Sequence, residues 1–209
     1  MNEALNKISN LKIVPVVVLE DAENAHPLAE ALVAGGLPCA EVTFRTNAAL
    51  ESIKAMSKAP ELLLGAGTVL TIDTVKAAMD AGASFIVSPG FNPKVVGYCV
   101  ENNIPITPGI SNPTDIEMAL EFGLEVVKFF PAEAMGGVKT LKAISAPYNK
   151  LKFMPTGGIS ASNIMDYLSL PFVIACGGSW MVKGDLINNK NFTEIKNLTA
   201  EAVSLVNNN

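Results

Sequence analysis

Ile13-Val-Pro-Val-Val-Val18 is a β-branched run with the brevity of a strand, and it leads into residues 21–34, where Ala25, Leu28, Ala29, Leu32 and Val33 recur at helical spacing before Gly35-Gly36 stops the pattern. Together they make one βα unit. Seven more follow in the same rhythm, with strands expected near 39–44, 62–66, 84–87, 104–107, 125–130, 152–156 and 172–176. Helical patterns near 48–58, 71–81, 93–102, 114–122, 138–145 and 161–168 separate them, and a last helix is expected near 193–206. Residues 2–10 read as a short extra helix ahead of the first strand. Thr71, Asn92-Pro93, Asn112-Pro113 and Ser160 stand where helix entries need polar caps or proline, and Gly82 and Gly123 stand at helix exits. Asn207 to Asn209 form a polar tail expected to fray.

Eight such units predict an α/β protein of the (β/α)8 TIM-barrel class, in one domain spanning residues 1–209 with the extra N-terminal helix. A doubly wound open sheet would place a G-x-G-x-x-G turn after its first strand; Val18-Leu-Glu20 has none, and Gly65-Ala-Gly67 lacks the third glycine.

The composition narrows the function classes. The chain has 209 residues, 49% of them hydrophobic and 17% charged, which suits one large core and excludes a disordered chain. Mean hydropathy is +0.34, yet the longest apolar runs, such as Ile13 to Leu19, fall far short of the roughly 18 residues that cross a membrane. The first residues lack a basic region and apolar segment, so the expected location is the cytoplasm. A net charge of -5 without a Lys/Arg cluster argues against a nucleic-acid partner. Cys39, Cys99 and Cys176 show no C-x-x-C spacing and are expected as reduced core residues. His26, the single histidine, falls in the first helical pattern, away from any strand end, so neither a His-based triad nor a His-ligated metal is expected.

One strand carries an anomaly. In Glu125-Val-Val-Lys-Phe-Phe-Pro131, alternation turns Val126, Lys128 and Phe130 one way and Val127 and Phe129 the other. An amine projecting into the barrel is costly unless paired or neutral. Desolvation disfavours the ammonium form and leaves more of the free amine that attacks a carbonyl. In Cys39-Ala-Glu-Val-Thr-Phe-Arg45, the apolar set Ala40, Val42 and Phe44 suits the helix layer, so Cys39, Glu41, Thr43 and Arg45 face inward. Glu41 and Arg45 are then roughly 13 Å apart along the strand, the carboxylate deep and the guanidinium at the rim. A deep carboxylate suits proton transfer, and a rim arginine suits an anionic substrate. The bland alternative is a buried Glu41–Lys128 pair that only satisfies two charges.

Gly65-Ala-Gly-Thr68, Ser88-Pro-Gly90 and Pro108-Gly-Ile-Ser111 end three strands with small residues that clear space around a mouth, where Thr68 offers a hydroxyl. Pro155-Thr-Gly-Gly-Ile-Ser160 and Cys176-Gly-Gly-Ser179 are read as Gly-Gly turns following the seventh and eighth strands, where barrels commonly hold phosphate on backbone N–H groups. Glu133 is expected to be a solvated loop carboxylate, and Trp180 and Met181 to pack a short helix after the eighth strand.

These stretches, with Val127-Lys-Phe-Phe-Pro-Ala-Glu133 and Gly177-Gly-Ser-Trp180, closely resemble the 2-keto-3-deoxy-6-phosphogluconate (KDPG) and 4-hydroxy-2-oxoglutarate (KHG) aldolases, in the same order over nearly the whole chain. The resemblance implies a class I aldolase, usually a homotrimer, that uses neither metal nor other cofactor and splits a phosphorylated keto acid into pyruvate and glyceraldehyde 3-phosphate. It implies that Lys128 forms the Schiff base and that Glu41 is the general acid/base. It further implies that Arg45 and Thr68 hold the pyruvate carboxylate, that Pro89 and Phe130 shape the pocket, that Thr156 contacts the keto acid, and that Gly157, Gly158, Gly178 and Ser179 hold the phosphate. Two other readings compete. A sugar-phosphate isomerase or epimerase explains the late glycines but gives Lys128 no task, and a non-catalytic barrel makes Glu41 and Lys128 an inert pair.

Overall fold

The computed structural model describes residues 1–207; Asn208 and Asn209, the rest of the expected frayed tail, lie outside the described residues. The strands are β1 Ile13–Val17, β2 Cys39–Thr43, β3 Leu63–Gly67, β4 Phe85–Ser88, β5 Ile106–Ile110, β6 Val126–Phe129, β7 Lys152–Phe153 and β8 Cys176–Gly178. The helices are α1 Glu3–Leu11, α2 Ala25–Ala34, α3 Ala49–Met56, α4 Ile72–Asp80, α5 Pro93–Glu101, α6 Pro113–Glu121, α7 Gly137–Ser145, α8 Ile164–Leu168, α9 Gly184–Asn188 and α10 Phe192–Asn207. Thr71, Asn92 and Asn112 each accept a backbone N–H in the first turn of the helix they open, and Pro93 and Pro113 occupy the position where a missing N–H costs nothing.

The strands hydrogen-bond in the order β7-β6-β5-β4-β3-β2-β1-β8, all in parallel. Bridges Phe153↔Val173 and Thr156↔Gly177 join the two ends of that order. The Gly177 N–H donates to Pro155 O at 2.9 Å and the Ile174 N–H to Phe153 O at 3.1 Å, so the sheet curls into a closed ring. This is the TIM-barrel architecture that eight βα units predict.

Every strand except β7, whose Lys152 is half-buried, is buried on both faces. Ala40, Val42, Ala66, Ile86, Val127 and Phe129 pack outward against the helices. Val14, Cys39, Phe85, Val126, Met154 and Ala175 form a separate inner core, and Ala4, Leu5 and Ile8 of α1 stop its N-terminal end. The expected parity of β2 and β6 therefore holds in the packing. Among the described residues, no helix is long and apolar enough to cross a membrane.

Two expectations need correction. The eighth strand, expected near 172–176, runs instead over Cys176–Gly178, because the ladder to β1 pairs Ile13 with Cys176, Val14 with Gly177 and Pro15 with Gly178. Gly177 and Gly178 are thus strand residues, not a turn after the strand. Glycine suits that place because a Cβ on Gly177 would lie 2.4 Å from Thr156 Oγ1, and one on Gly178 2.0 Å from the Trp180 ring. The helix expected near 161–168 begins only at Ile164. Before it, Asn163 closes a turn, accepting from the Ser160 N–H at 2.8 Å and donating to Gly158 O at 3.0 Å.

Candidate active site

Lys128 reaches the barrel interior from β6 and Glu41 from β2, on opposite sides of the ring. Their meeting follows from strand parity and from small neighbours. Gly109 of β5 stands beside Lys128 in the ladder, and Gly65 of β3 stands beside Glu41. A Cβ on Gly67 would fall 2.2 Å from Glu41 Oε1, so β3 gives up two inward side chains and the carboxylate occupies the room at the second. Lys128 Nζ lies 3.4 Å from Glu41 Oε1, with the two residues 4% and 1% exposed. The ammonium end also lies 5.1 Å from the centroid of the Phe130 ring.

At 3.4 Å the pair is loose for a charge-assisted hydrogen bond. Glu41 Oε2 and the Thr107 hydroxyl, both buried, have no hydrogen-bond partner among the described residues. A carboxylate held for stability alone would have both oxygens satisfied, since an unpartnered buried acceptor costs about 1–3 kcal/mol. The free oxygen suits a group that must take a proton from something not yet bound.

The remaining expected residues sit at the C-terminal ends of the strands. Thr43 is spoken for, donating from its hydroxyl to Val17 O at 2.9 Å. Arg45 lies past the end of β2 in a turn and is exposed at the rim. Thr68, half-buried after β3, has φ of +57°, a left-handed backbone that a β-branched residue rarely adopts. Such strain marks places where the surroundings over-determine the backbone. Pro89 and Phe130 are half-buried at the ends of β4 and β6, and Thr156 is buried with its hydroxyl 3.5 Å from Met154 O.

Gly157 and Gly158 form the turn after β7 with φ of +99° and +78°. The N–H groups of Gly158 and Ile159 have no acceptor among the described residues, the Gly157 N–H faces Gly177 O across the Thr156–Gly177 bridge, and Ser179 is exposed after β8. This leaves a row of donors at the mouth. Unlike the sequence reading, only one of the two Gly-Gly pairs is a turn.

Sequence reasoning missed two features of the site. Thr107 carries no motif signal beyond its inward parity on β5. Glu133, expected as a solvated loop carboxylate, is exposed but accepts a hydrogen bond from the Tyr167 hydroxyl. Burial, reinforced by that carboxylate, holds the Tyr167 phenol well above its ordinary range. Trp180 lies against Gly178, and Met181 is fully buried ahead of α9.

Comparison with known proteins gives a consistent result. The family model for KDPG and KHG aldolase matches residues 4–198. A 2-dehydro-3-deoxy-phosphogluconate aldolase of Haemophilus influenzae is 49% identical over 205 residues, covering 98% of this chain and 97% of that protein. A KHG/KDPG aldolase of Escherichia coli is 45% identical over 192 residues, covering 91% and 90%. The crystal structure of KDPG aldolase from Legionella pneumophila, with pyruvate captured as a covalent carbinolamine intermediate, superposes with a TM-score of 0.92 at 38% identity, covering 96% of this chain and 98% of that one.

Proposed function

The chain belongs to the KDPG and KHG aldolase family, and from that premise we propose how its residues carry out the reaction. The protein is a class I aldolase that cleaves KDPG to pyruvate and glyceraldehyde 3-phosphate through a lysine Schiff base, and the same imine serves 4-hydroxy-2-oxoglutarate. The observation that carries the assignment of roles is the buried Lys128–Glu41 contact, 3.4 Å long with one carboxylate oxygen free.

In this reading the Lys128 amine attacks the C2 keto carbon, and Glu41 gives and takes the protons that turn the carbinolamine into an imine with loss of water. Glu41, directly or through a water, then removes the C4 hydroxyl proton. The C3–C4 bond breaks, its electron pair moves into the cationic imine, and the aldehyde leaves. The resulting enamine takes a proton at C3, and water releases pyruvate and the free lysine. The Phe130 ring, 5.1 Å from Nζ, lines this space and favours a cationic nitrogen over its face.

Arg45 and Thr68 hold the substrate carboxylate at the rim, with Pro89 and Phe130 as walls and Thr156 against the keto acid. The backbone of Gly157 and Gly158, with Gly178 and Ser179, holds the phosphate; the Gly158 and Ile159 N–H groups, without internal acceptors in that turn, support the role. The likeness to the family supports a homotrimer in the cytoplasm, and a sedimentation mass of three 22.0 kDa chains checks the first.

Kinetics of Glu41→Gln test the assignment. Pyruvate release from KDPG falls by about 10²-fold or more in kcat, while the KM stays near that of the parent. Unchanged turnover would remove Glu41 from the proton transfers.

A further inference from the structure

The loop after β6 and the Gly157–Gly158 turn after β7 form one packed unit. The Ala132 N–H donates to Thr156 O at 2.8 Å and the Glu133 N–H to Gly157 O at 3.0 Å. Glu133 then lays its side chain over the turn: a Cβ on Gly158 would sit 2.6 Å from both Cβ and Cγ of Glu133. A carboxylate on that side chain, if turned toward the free Gly158 and Ile159 N–H groups, would compete with and repel an incoming anion.

The structure turns that carboxylate elsewhere. Glu133 Oε1 accepts from the hydroxyl of Tyr167 in α8, the helix that follows the turn, and lies at the start of α7, where a Cβ on Gly137 would meet it at 3.0 Å and the Tyr167 hydroxyl at 3.2 Å. The phenol is fully buried, and burial next to a carboxylate keeps it protonated, so it remains a donor across the working pH range.

We propose that Tyr167 is a positioning residue for phosphorylated substrate: by holding Glu133 it pins the loop after β6 across the Gly157–Gly158 turn and keeps the carboxylate off the phosphate-binding N–H groups. This rests on the reading of that turn as the phosphate site. Tyr167 does not touch the reacting atoms, so its loss acts on binding of the phosphate end and spares the imine chemistry.

The test measures KM and kcat for KDPG and for unphosphorylated 4-hydroxy-2-oxoglutarate in Tyr167→Phe, which removes the hydroxyl and keeps the ring. The KM for KDPG rises about tenfold, the scale of one hydrogen bond to a charged group, while kcat and the KM for the unphosphorylated substrate do not change. Glu133→Ala loses the pin but also the repelling carboxylate, so its KM for KDPG rises less than that of Tyr167→Phe, with kcat and the KM for the unphosphorylated substrate unchanged. Glu133→Gln still offers an oxygen to the phenol and keeps the KM for KDPG within about twofold. A Tyr167→Phe effect that is equal on both substrates, or absent from both, overturns the proposal. Ser179→Asp is the control. If it discriminates between the substrates and the Tyr167 and Glu133 variants do not, the clamp alone is wrong; if none of them discriminates, the phosphate site itself is misplaced and the clamp falls with it.

Discussion

Along β2 and β6 the barrel interior changes character within two residues: Cys39 gives way to Glu41, and Val126 to Lys128. At the N-terminal end the inward positions are apolar, and α1 adds Leu5 and Ile8 to them; toward the mouth they are glycines and a pair of opposite charges. One backbone thus supports a region built for stability and one built at a cost to it. Burying Ile8 contributes about 2–3 kcal/mol. The two charges above it gain little net stability over apolar residues of the same volume. The lesson is that retention of the pair is explained by chemistry and the plug beneath it by folding, and each region can be disturbed without the other.

The largest expected effect is at the mouth. Lys128→Met abolishes measurable turnover and also destabilises the fold by about 3–5 kcal/mol, because Glu41 is left buried without its partner. Adding Glu41→Gln to it recovers most of that stability and none of the activity. Denaturant unfolding checks both statements, and a double variant less stable than Lys128→Met would break the contrast between the two ends.

Ile8→Ala should do the reverse. It lowers stability by about 2–5 kcal/mol through the cavity it leaves at the plug, while kcat per folded molecule stays at the parent value. Loss of kcat in a sample shown by circular dichroism to be folded would mean that the plug holds the catalytic pair in place as well.

The smallest effect separates the outer helix layer from both ends. Burial of Cys99 in α5 raises its thiol from 9.0 to about 11. A group held protonated by folding contributes stability that is present below about pH 9 and is lost as pH rises through about 11. Cys99→Ala should therefore flatten the decline in unfolding free energy over that window without altering activity. An identical decline in both proteins would contradict the burial argument.

Much of this was legible in the chain, and the reasons differ by residue. Parity alone placed Glu41 and Lys128 inside the ring, because Ala40, Val42, Val127 and Phe129 left only one face for the helices. The Gly177–Gly178 pair was misplaced because glycine is read locally as a turn, whereas here the ladder to β1 and the approach of Thr156 and Trp180 decide. Tyr167 was invisible for a related reason. Its partner Glu133 lies 34 residues away on another βα unit, and no spacing within α8 points to it. The Thr107 hydroxyl, likewise, shows its importance only when its surroundings are seen to leave it without a partner.

The central claim is that Lys128 is the imine-forming nucleophile. Borohydride reduction in the presence of pyruvate, followed by peptide mass spectrometry, tests it most directly. The account predicts a reduced pyruvate adduct on the peptide that contains Lys128, and none in Lys128→Met. An unmodified parent protein, or an adduct that persists in Lys128→Met, would contradict it.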